Sequence, residues 1–399
     1  MIIDPFIKEY ILLALRINRI FDGYIDAYYG PSELKEMIEN EPIRSATKLI
    51  NETRTLQKKL VQKINDSTRQ RYIGATLKAM EAFLTILSGK KMDFIEQVNA
   101  ILGVKPEVFQ DDREFYDLQK EFNHVYLGNG NLAERMEVYK ERRRIPKSEI
   151  IPKFKRALEL TCARTKELFP DLLPETESIS LEFAKDGVNW AFFNKYLGNF
   201  HSIIEINPSQ PMYWTTFFPF AAHEGYPGHH TELTVKNNLF YNQLNWSEHC
   251  LILMNTPAGV ITEGIAETAP YMLFSSEEKI RMELENFCLN PYEEDSVDLL
   301  IKQFELKIKV KKFIIHLANL ANIEGWSERE LFDYGMSFGF YPKKNLQSDI
   351  SLILNPKFRI YNYTYNYGRV LITKKFGFPP KLNDFRYLLS NPVISADLI

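Results

Sequence analysis

Apolar residues at Phe6, Ile7, Tyr10, Ile11, Ala14 and Ile17 recur at steps of three and four, the period that lays one stripe along a helix. The pattern predicts a first helix over residues 5–25, stopped at Tyr29-Gly30-Pro31-Ser32. Ser32, with Glu36 nearby, opens a shorter helix. Residues 45–64 and 68–87 read as an antiparallel helical pair broken at Asn65-Asp66-Ser67. The texture changes between Ser178 and Asn207, where Ile179, Leu181 and Phe183 and then Ile203, Ile204 and Ile206 make short β-prone runs around Gly187 and Gly198. Two or three strands in a small sheet are expected there. No internal repeat, low-complexity tract or long Gly/Ser linker divides the chain.

The chemistry concentrates at two places in this helical frame. The runs Ala221-Ala222-His223-Glu224-Gly225-Tyr226-Pro227-Gly228-His229-His230 and Thr262-Glu263-Gly264-Ile265-Ala266-Glu267 bring together three of the seven histidines and three carboxylates. Zinc takes imidazole nitrogen and carboxylate oxygen, and a catalytic site supplies three protein ligands while leaving a fourth position for water. A further carboxylate must then stand beside that water as base.

In the helical motif H-E-x-x-H, two histidines one turn apart bind the ion and the glutamate between them is the base. Here four residues separate Glu224 from the next histidine. On an unbroken helix His229 would point roughly 120° away from His223, and His230 would return to the same face about 10.5 Å along the axis. Pro227 lacks an amide hydrogen and crowds the carbonyl of His223, and the neighbouring glycines tolerate unusual dihedrals. A bulge or break is therefore expected. A bulge that absorbs two residues makes His229 the second ligand, the slightly preferred arrangement, whereas a straighter kinked helix favours His230.

Glu263 is expected as the third ligand. With Glu267, four residues on and on the same helical face, it is the only charge in the largely apolar stretch 251–274, and buried carboxylates need a cation or strong hydrogen bonds. Glu267 is expected to accept the free N–H of a ligating histidine. A developing oxyanion needs a further donor; Tyr226, Tyr361, Tyr363, Tyr365 and Tyr367 are candidates, with Tyr365 assigned the catalytic role. His249, fourteen residues before Glu263, is expected behind the ligands or against substrate.

The wider composition narrows the setting. Of 399 residues, 45% are hydrophobic and 25% charged, with a formal net charge of −3, so no large field invites nucleic acid or an anionic membrane. Arg142, Arg143 and Arg144 read as a solvated helix end. Lys307, Lys309, Lys311 and Lys312 lack a stacking platform, and Ile308, Val310, Ile314 and Ile315 among them look like core. Cys162, Cys250 and Cys288 are too few and too scattered for a disulfide framework. Charges at Asp4, Lys8 and Glu9 precede any apolar run of signal length, and no stretch reaches membrane-span length. A soluble, unprocessed, cytoplasmic protein is expected. No G-x-S-x-G elbow or phosphate-binding glycine loop appears.

At H-E-G-Y-P-G-H-H with T-E-G-I-A-E, the chain resembles the DUF885 family of helical proteins with a metallopeptidase-like HExxPGHH motif. Asp26-Ala27-Tyr28-Tyr29-Gly30-Pro31 resembles its N-terminal D-A-Y-x-G-P signature. Tyr196-Leu197-Gly198 and Ile204-Glu205-Ile206-Asn207 resemble the segment before its histidines, and Tyr365-Asn366-Tyr367-Gly368 its C-terminal Y-x-x-G. The resemblance implies a gluzincin-like zinc hydrolase with His223 and one of His229 or His230 as ligands, Glu224 as base and Glu263 completing the site. The chain departs at Phe358-Arg359-Ile360-Tyr361-Asn362, where related chains often carry a Pro-Gly-Gln-like element.

These readings converge on a mainly α (α+β) fold, a large helical domain with a small β-sheet beside the zinc-binding helix. Residues 1–175 form a helical N-terminal region and 176–399 the zinc-site region with the sheet and C-terminal helices, across a soft boundary that a single domain would also satisfy. The expected function is zinc-dependent hydrolysis of a short peptide, of carboxypeptidase or oligopeptidase type, with no nucleic-acid or membrane partner. An edge strand beside the zinc helix would hold the extended substrate. The alternatives are a zinc amidase or esterase on a non-peptide substrate and a non-catalytic, metal-stabilised binding protein.

Overall fold

The computed structural model describes residues 3–107, 111–185, 187, 188, 190–291 and 294–399. The fold is mainly helical with a small strand content, as the periodicity predicts. The first helix, Pro5–Ile20, starts where Asp4 Oδ1 accepts the amides of Phe6 at 2.8 Å and Ile7 at 3.3 Å, a side-chain cap on otherwise orphaned donors. It ends five residues earlier than expected, because Gly23 takes a positive φ of 81° and Asn18 Oδ1 accepts the amide of Ile25. The residues expected to extend the helix turn instead into a strand.

The helices Ala46–Lys63 and Ser67–Leu87 pack together. Each begins at a capped residue, Ser45 accepting from the Lys48 amide and Asp66 from the Arg69 amide. One apolar cluster runs from Phe6 to Leu398, so both halves of the chain contribute to the same core.

Among the described residues the strands are β1 (Ile25–Tyr28), β2 (Ser178–Phe183), β3 (Phe192–Tyr196), β4 (His201–Ile206) and β5 (Leu251–Leu253). β1 pairs antiparallel with β5. The second sheet has the order β2-β4-β3, β4 running parallel to β2 and antiparallel to β3. β3 is thus an edge strand, and it lies against the segment carrying the histidines.

One residue of the arginine run departs from the expected solvated helix end, while the exposed Lys309 and Lys312 do not. Arg143 is not solvated: it is 4% exposed and pairs with Glu294 at 2.9 Å and Asp295 at 2.7 Å. Buried guanidinium needs such partners, and its planar fork suits two carboxylates. Lys309 and Lys312 pair with Glu121 and Glu114, while Lys311 pairs with Glu267.

The helix Pro257–Leu273 crosses Asn362–Phe376 with the two backbones in contact. A Cβ on Gly264 would stand 2.5 Å from the Gly368 carbonyl carbon, and one on Gly368 would stand 2.1 Å from the Val260 carbonyl oxygen. This crossing fixes the helix of Glu263 against the one that follows Tyr361. Gly368→Ala is expected to destabilise the fold by about 2–3 kcal/mol, the upper part of the usual range for overpacking. Chemical denaturation of the variant checks this; an unchanged midpoint would show that the helices can separate freely.

Candidate active site

The two residues that break the usual zinc-helix spacing are taken up by the backbone itself. The helix Trp214–Phe220 widens into a π-helical turn over Ala221–Gly225. The Tyr226 amide reaches back five residues to the Ala221 carbonyl at 3.1 Å, and the Gly228 amide six residues to the Ala222 carbonyl at 2.9 Å. A new helix, His229–Lys236, then starts from Gly228. Single-turn π-bulges of this kind accommodate an extra residue and occur often at functional sites.

The wide turn brings His229 beside His223, with ring centroids 4.8 Å apart and planes perpendicular. Both Nε2 atoms lie 3.7 Å from Glu263 Oε2. His230 turns the other way. Its Nδ1 contacts Ser202 Oγ at 2.8 Å and its Nε2 contacts Glu177 Oε2 at 3.1 Å, so both ring nitrogens are engaged away from the cluster. The kinked-helix alternative that would have made His230 a ligand does not match this geometry. Glu177 also accepts the Tyr226 hydroxyl and pairs with Lys166, fastening the loop between the two clustered histidines from behind.

The donor set fits a zinc ion. Ligand atoms around tetrahedral zinc at roughly 2.0–2.2 Å stand about 3.3–3.6 Å apart, close to the two 3.7 Å separations here. Glu263 Oε2 is buried and has no hydrogen-bond partner, while Tyr361 Oη donates to its Oε1. An orphaned buried carboxylate oxygen facing two imidazole nitrogens calls for a cation. The ligand atoms of His223, Glu224 and His229 also lie within 4.8 Å of one another, so proximity alone does not separate ligand from base. For such an ion Glu263 would be the better ligand, being equidistant from both rings, whereas Glu224 Oε1 is 4.0 Å from His223 Nε2.

The electrostatics show the same demand for positive charge. Burial lowers the His223 imidazole to about 4, with His229 adding to the effect. Burial would lower His229 too, but the charges of Glu263, Glu224 and Glu232 carry it up to about 10. Burial, reinforced by the charges of Glu263 and Asp26, raises Glu224 to about 7. The acidic ring that holds a proton on His229 can equally hold a divalent cation.

The remaining expected residues fall into two groups. Glu267 Oε1 stands 3.9 Å from His223 Nδ1, longer than a hydrogen bond, and Glu267 is also held by Lys311. Tyr365 lines the cavity with His223, Glu224 and Glu263. Burial and then the charges of Glu263 and Glu224 push its hydroxyl well up, so it stays protonated as a donor. His249 is a cavity-wall residue stacked on Tyr72 at 4.7 Å and packed on Phe240 at 4.5 Å, and burial lowers it to about 3. Tyr363 is engaged elsewhere, its hydroxyl donating to Asn319 Oδ1 at 2.7 Å, and the Tyr367 hydroxyl accepts the Glu107 amide.

The sequence matches no protein-family profile and none of the curated proteins. Among solved structures, the chain is similar to a presumed lipoprotein from Colwellia psychrerythraea, with 14% identity over 92% of this chain and 68% of that one and a TM-score of 0.51. A presumed lipoprotein of unknown function from Shewanella oneidensis is 10% identical over 92% and 75% of the two chains, with a TM-score of 0.48. At these identities the first likeness speaks for the fold alone.

Three site residues escaped the sequence reading. Asn194, on β3, donates Nδ2 to the Glu224 backbone carbonyl at 2.5 Å and had no local signal. Lys311 reads from periodicity as one of a basic run, yet it reaches Glu267. Asp26 stands in the D-A-Y-Y-G-P run without an assigned role, and the structure places it in the cavity wall.

Proposed function

We propose that this protein is a zinc-dependent peptidase of the DUF885 type, with His223, His229 and Glu263 as ligands and Glu224 as general base. The observation that carries the reading is the buried Glu263 Oε2, which accepts no hydrogen bond and faces both imidazole Nε2 atoms at 3.7 Å, with the Glu224 carboxylate beside them. A zinc ion bound there would supply the Lewis acidity that activates water and polarises a carbonyl. Glu224 takes the proton from the attacking water and delivers it to the leaving amine as the C–N bond breaks. Tyr365, a protonated hydroxyl lining the same cavity, would donate to the oxygen that gains charge.

The cavity supports a short substrate. It encloses about 570 Å³, within the roughly 300–1,000 Å³ span of small-ligand pockets. Trp190, Phe193 and Asn194, on and just before the edge strand β3, line one wall, where an extended peptide could add alongside the sheet.

A cytoplasmic setting is proposed on the three free cysteines; no helix among the described residues is long and apolar enough to cross a membrane.

The test is metal analysis of the purified protein paired with cleavage of a mixed peptide library. One zinc per chain with chelator-sensitive cleavage is expected. Zinc with cleavage only of esters or non-peptide amides would move the assignment to an amidase, and absence of zinc after reconstitution would remove the metal reading. His229→Ala is expected to lose zinc affinity by at least about 100-fold, and His230→Ala to retain the ion within about tenfold, the lower limit for loss of an outer partner. Zinc titration of both variants checks this, and equal retention would dismiss the ligand assignment.

A further inference from the structure

In β1, Ile25 pairs with Leu253 and Ala27 with Ile252, which leaves Asp26 as an extra residue between two successive pairs. A bulge bends its strand and re-aims a side chain, and bulges gather next to active sites. This one places Asp26 in the wall of the cavity that also holds His223, Glu224, His229 and Glu263. Glu263 is held by Tyr361, and Glu232 by Lys236 and Thr262. The Asp26 carboxylate has no hydrogen bond or ion pair among the described residues. It is open to the cavity, free to meet a cation brought by a ligand.

We propose that Asp26 binds the free α-ammonium group of a peptide substrate, which makes the site an aminopeptidase for short peptides. The inference rests on the peptidase reading above and names the end of the chain that the site recognises. Asp26 lines the same cavity as His223, Glu224, His229 and Glu263. An α-ammonium is separated from its own residue's carbonyl carbon by a single intervening atom. A carboxylate at this place therefore fixes the first peptide bond for attack. Ammonium–carboxylate hydrogen bonds are charge-assisted and roughly twice as strong as neutral ones.

Lys357 is the rival anchor. It lines the same cavity, lies 5.6 Å from the Phe21 ring and has no carboxylate within 4.0 Å among the described residues, so it could select a free carboxyl end instead. Asp26 is preferred because the bulge fixes its carboxylate on a paired strand, whereas the Lys357 ammonium sits on a loop and already lies over the Phe21 ring at 5.6 Å and the Phe358 ring at 5.8 Å.

The experiment uses the full, zinc-loaded chain and one tripeptide in three forms: free, N-acetylated and C-amidated. Acetylation is expected to lower kcat/KM by roughly 100-fold and amidation by less than about fivefold, since truncating one side of a charged hydrogen bond commonly costs that order. Asp26→Asn is expected to lose roughly 30–100-fold on the free peptide and to erase the discrimination between free and acetylated forms, with unchanged zinc content. Equal cleavage of free and acetylated peptide would overturn the inference and leave the hydrolase standing. So would a requirement for the free carboxyl end that Lys357→Ala removes, and so would loss of zinc in Asp26→Asn, which would make Asp26 a ligand. If no form is cleaved, the peptidase reading fails separately. Calorimetry then decides Asp26 without turnover: zinc-loaded Glu224→Gln should bind the free peptide at least about tenfold tighter than the acetylated one, and equal affinities would overturn the proposal.

Discussion

Glu224→Gln should bind zinc as the parent does and lose hydrolysis by roughly 10²–10⁴-fold, the usual contribution of a positioned general base. The substitution keeps the shape of the side chain and removes its negative charge together with its ability to accept a proton. The backbone at this position is set independently, since Asn194 Nδ2 donates to the Glu224 carbonyl at 2.5 Å and the Tyr226 amide closes the wide turn onto Ala221. The side chain lies among groups that raise its carboxyl, with burial first and the charges of Glu263 and Asp26 next. The variant therefore separates two roles that proximity leaves together, because Glu224 and the two histidines all lie within 4.8 Å. Steady-state rates and metal content of the same preparation give the answer. Turnover equal to the parent would remove Glu224 as base, and loss of zinc would make it a ligand in place of Glu263.

Much of this cluster was legible in the sequence because its histidines and carboxylates sit in two short runs. The pairing of glycines with Pro227 announced a break, and the structure resolves it as a π-turn that puts His229 beside His223 and sends His230 to Glu177. Glu263 could be picked out because a lone carboxylate in an apolar helix needs a reason to be there. Periodicity said nothing of Asn194 or Asp26. Their roles depend on which strand becomes an edge and where a register slips, and those are decided by pairings across long stretches of chain, such as β1 with β5. The first helix shows a local limit of the same kind: apolar spacing continued past Ile20, but a glycine with positive φ ended it. Arg143 likewise read as solvated because its carboxylate partners lie about 150 residues away in sequence.

Gly228→Ala is expected to abolish zinc binding and destabilise the fold by about 3 kcal/mol or more, at or beyond the upper end of ordinary overpacking. A Cβ at this position would stand 2.0 Å from the His223 carbonyl oxygen, 2.4 Å from that of Ala222 and 2.7 Å from the His223 carbonyl carbon. All three are backbone atoms, so no side chain can swing aside to make room. The same residue donates its amide to the Ala222 carbonyl and accepts the Glu232 amide at 2.9 Å, which ties the end of the π-turn to the first turn of the next helix. Relief of the clash must therefore move the segment of His223 away from that of His229, and the two rings would no longer share Glu263 Oε2. Gly74→Ala provides the contrast, because its Cβ would meet only a terminal methyl of Leu60, at 3.2 Å, and alanine favours the helix by up to about 1 kcal/mol. Thermal unfolding and zinc titration of the two variants side by side measure the difference. A Gly228→Ala protein that binds zinc like the parent would show that the close approach of backbone at this junction does not set the ligand geometry.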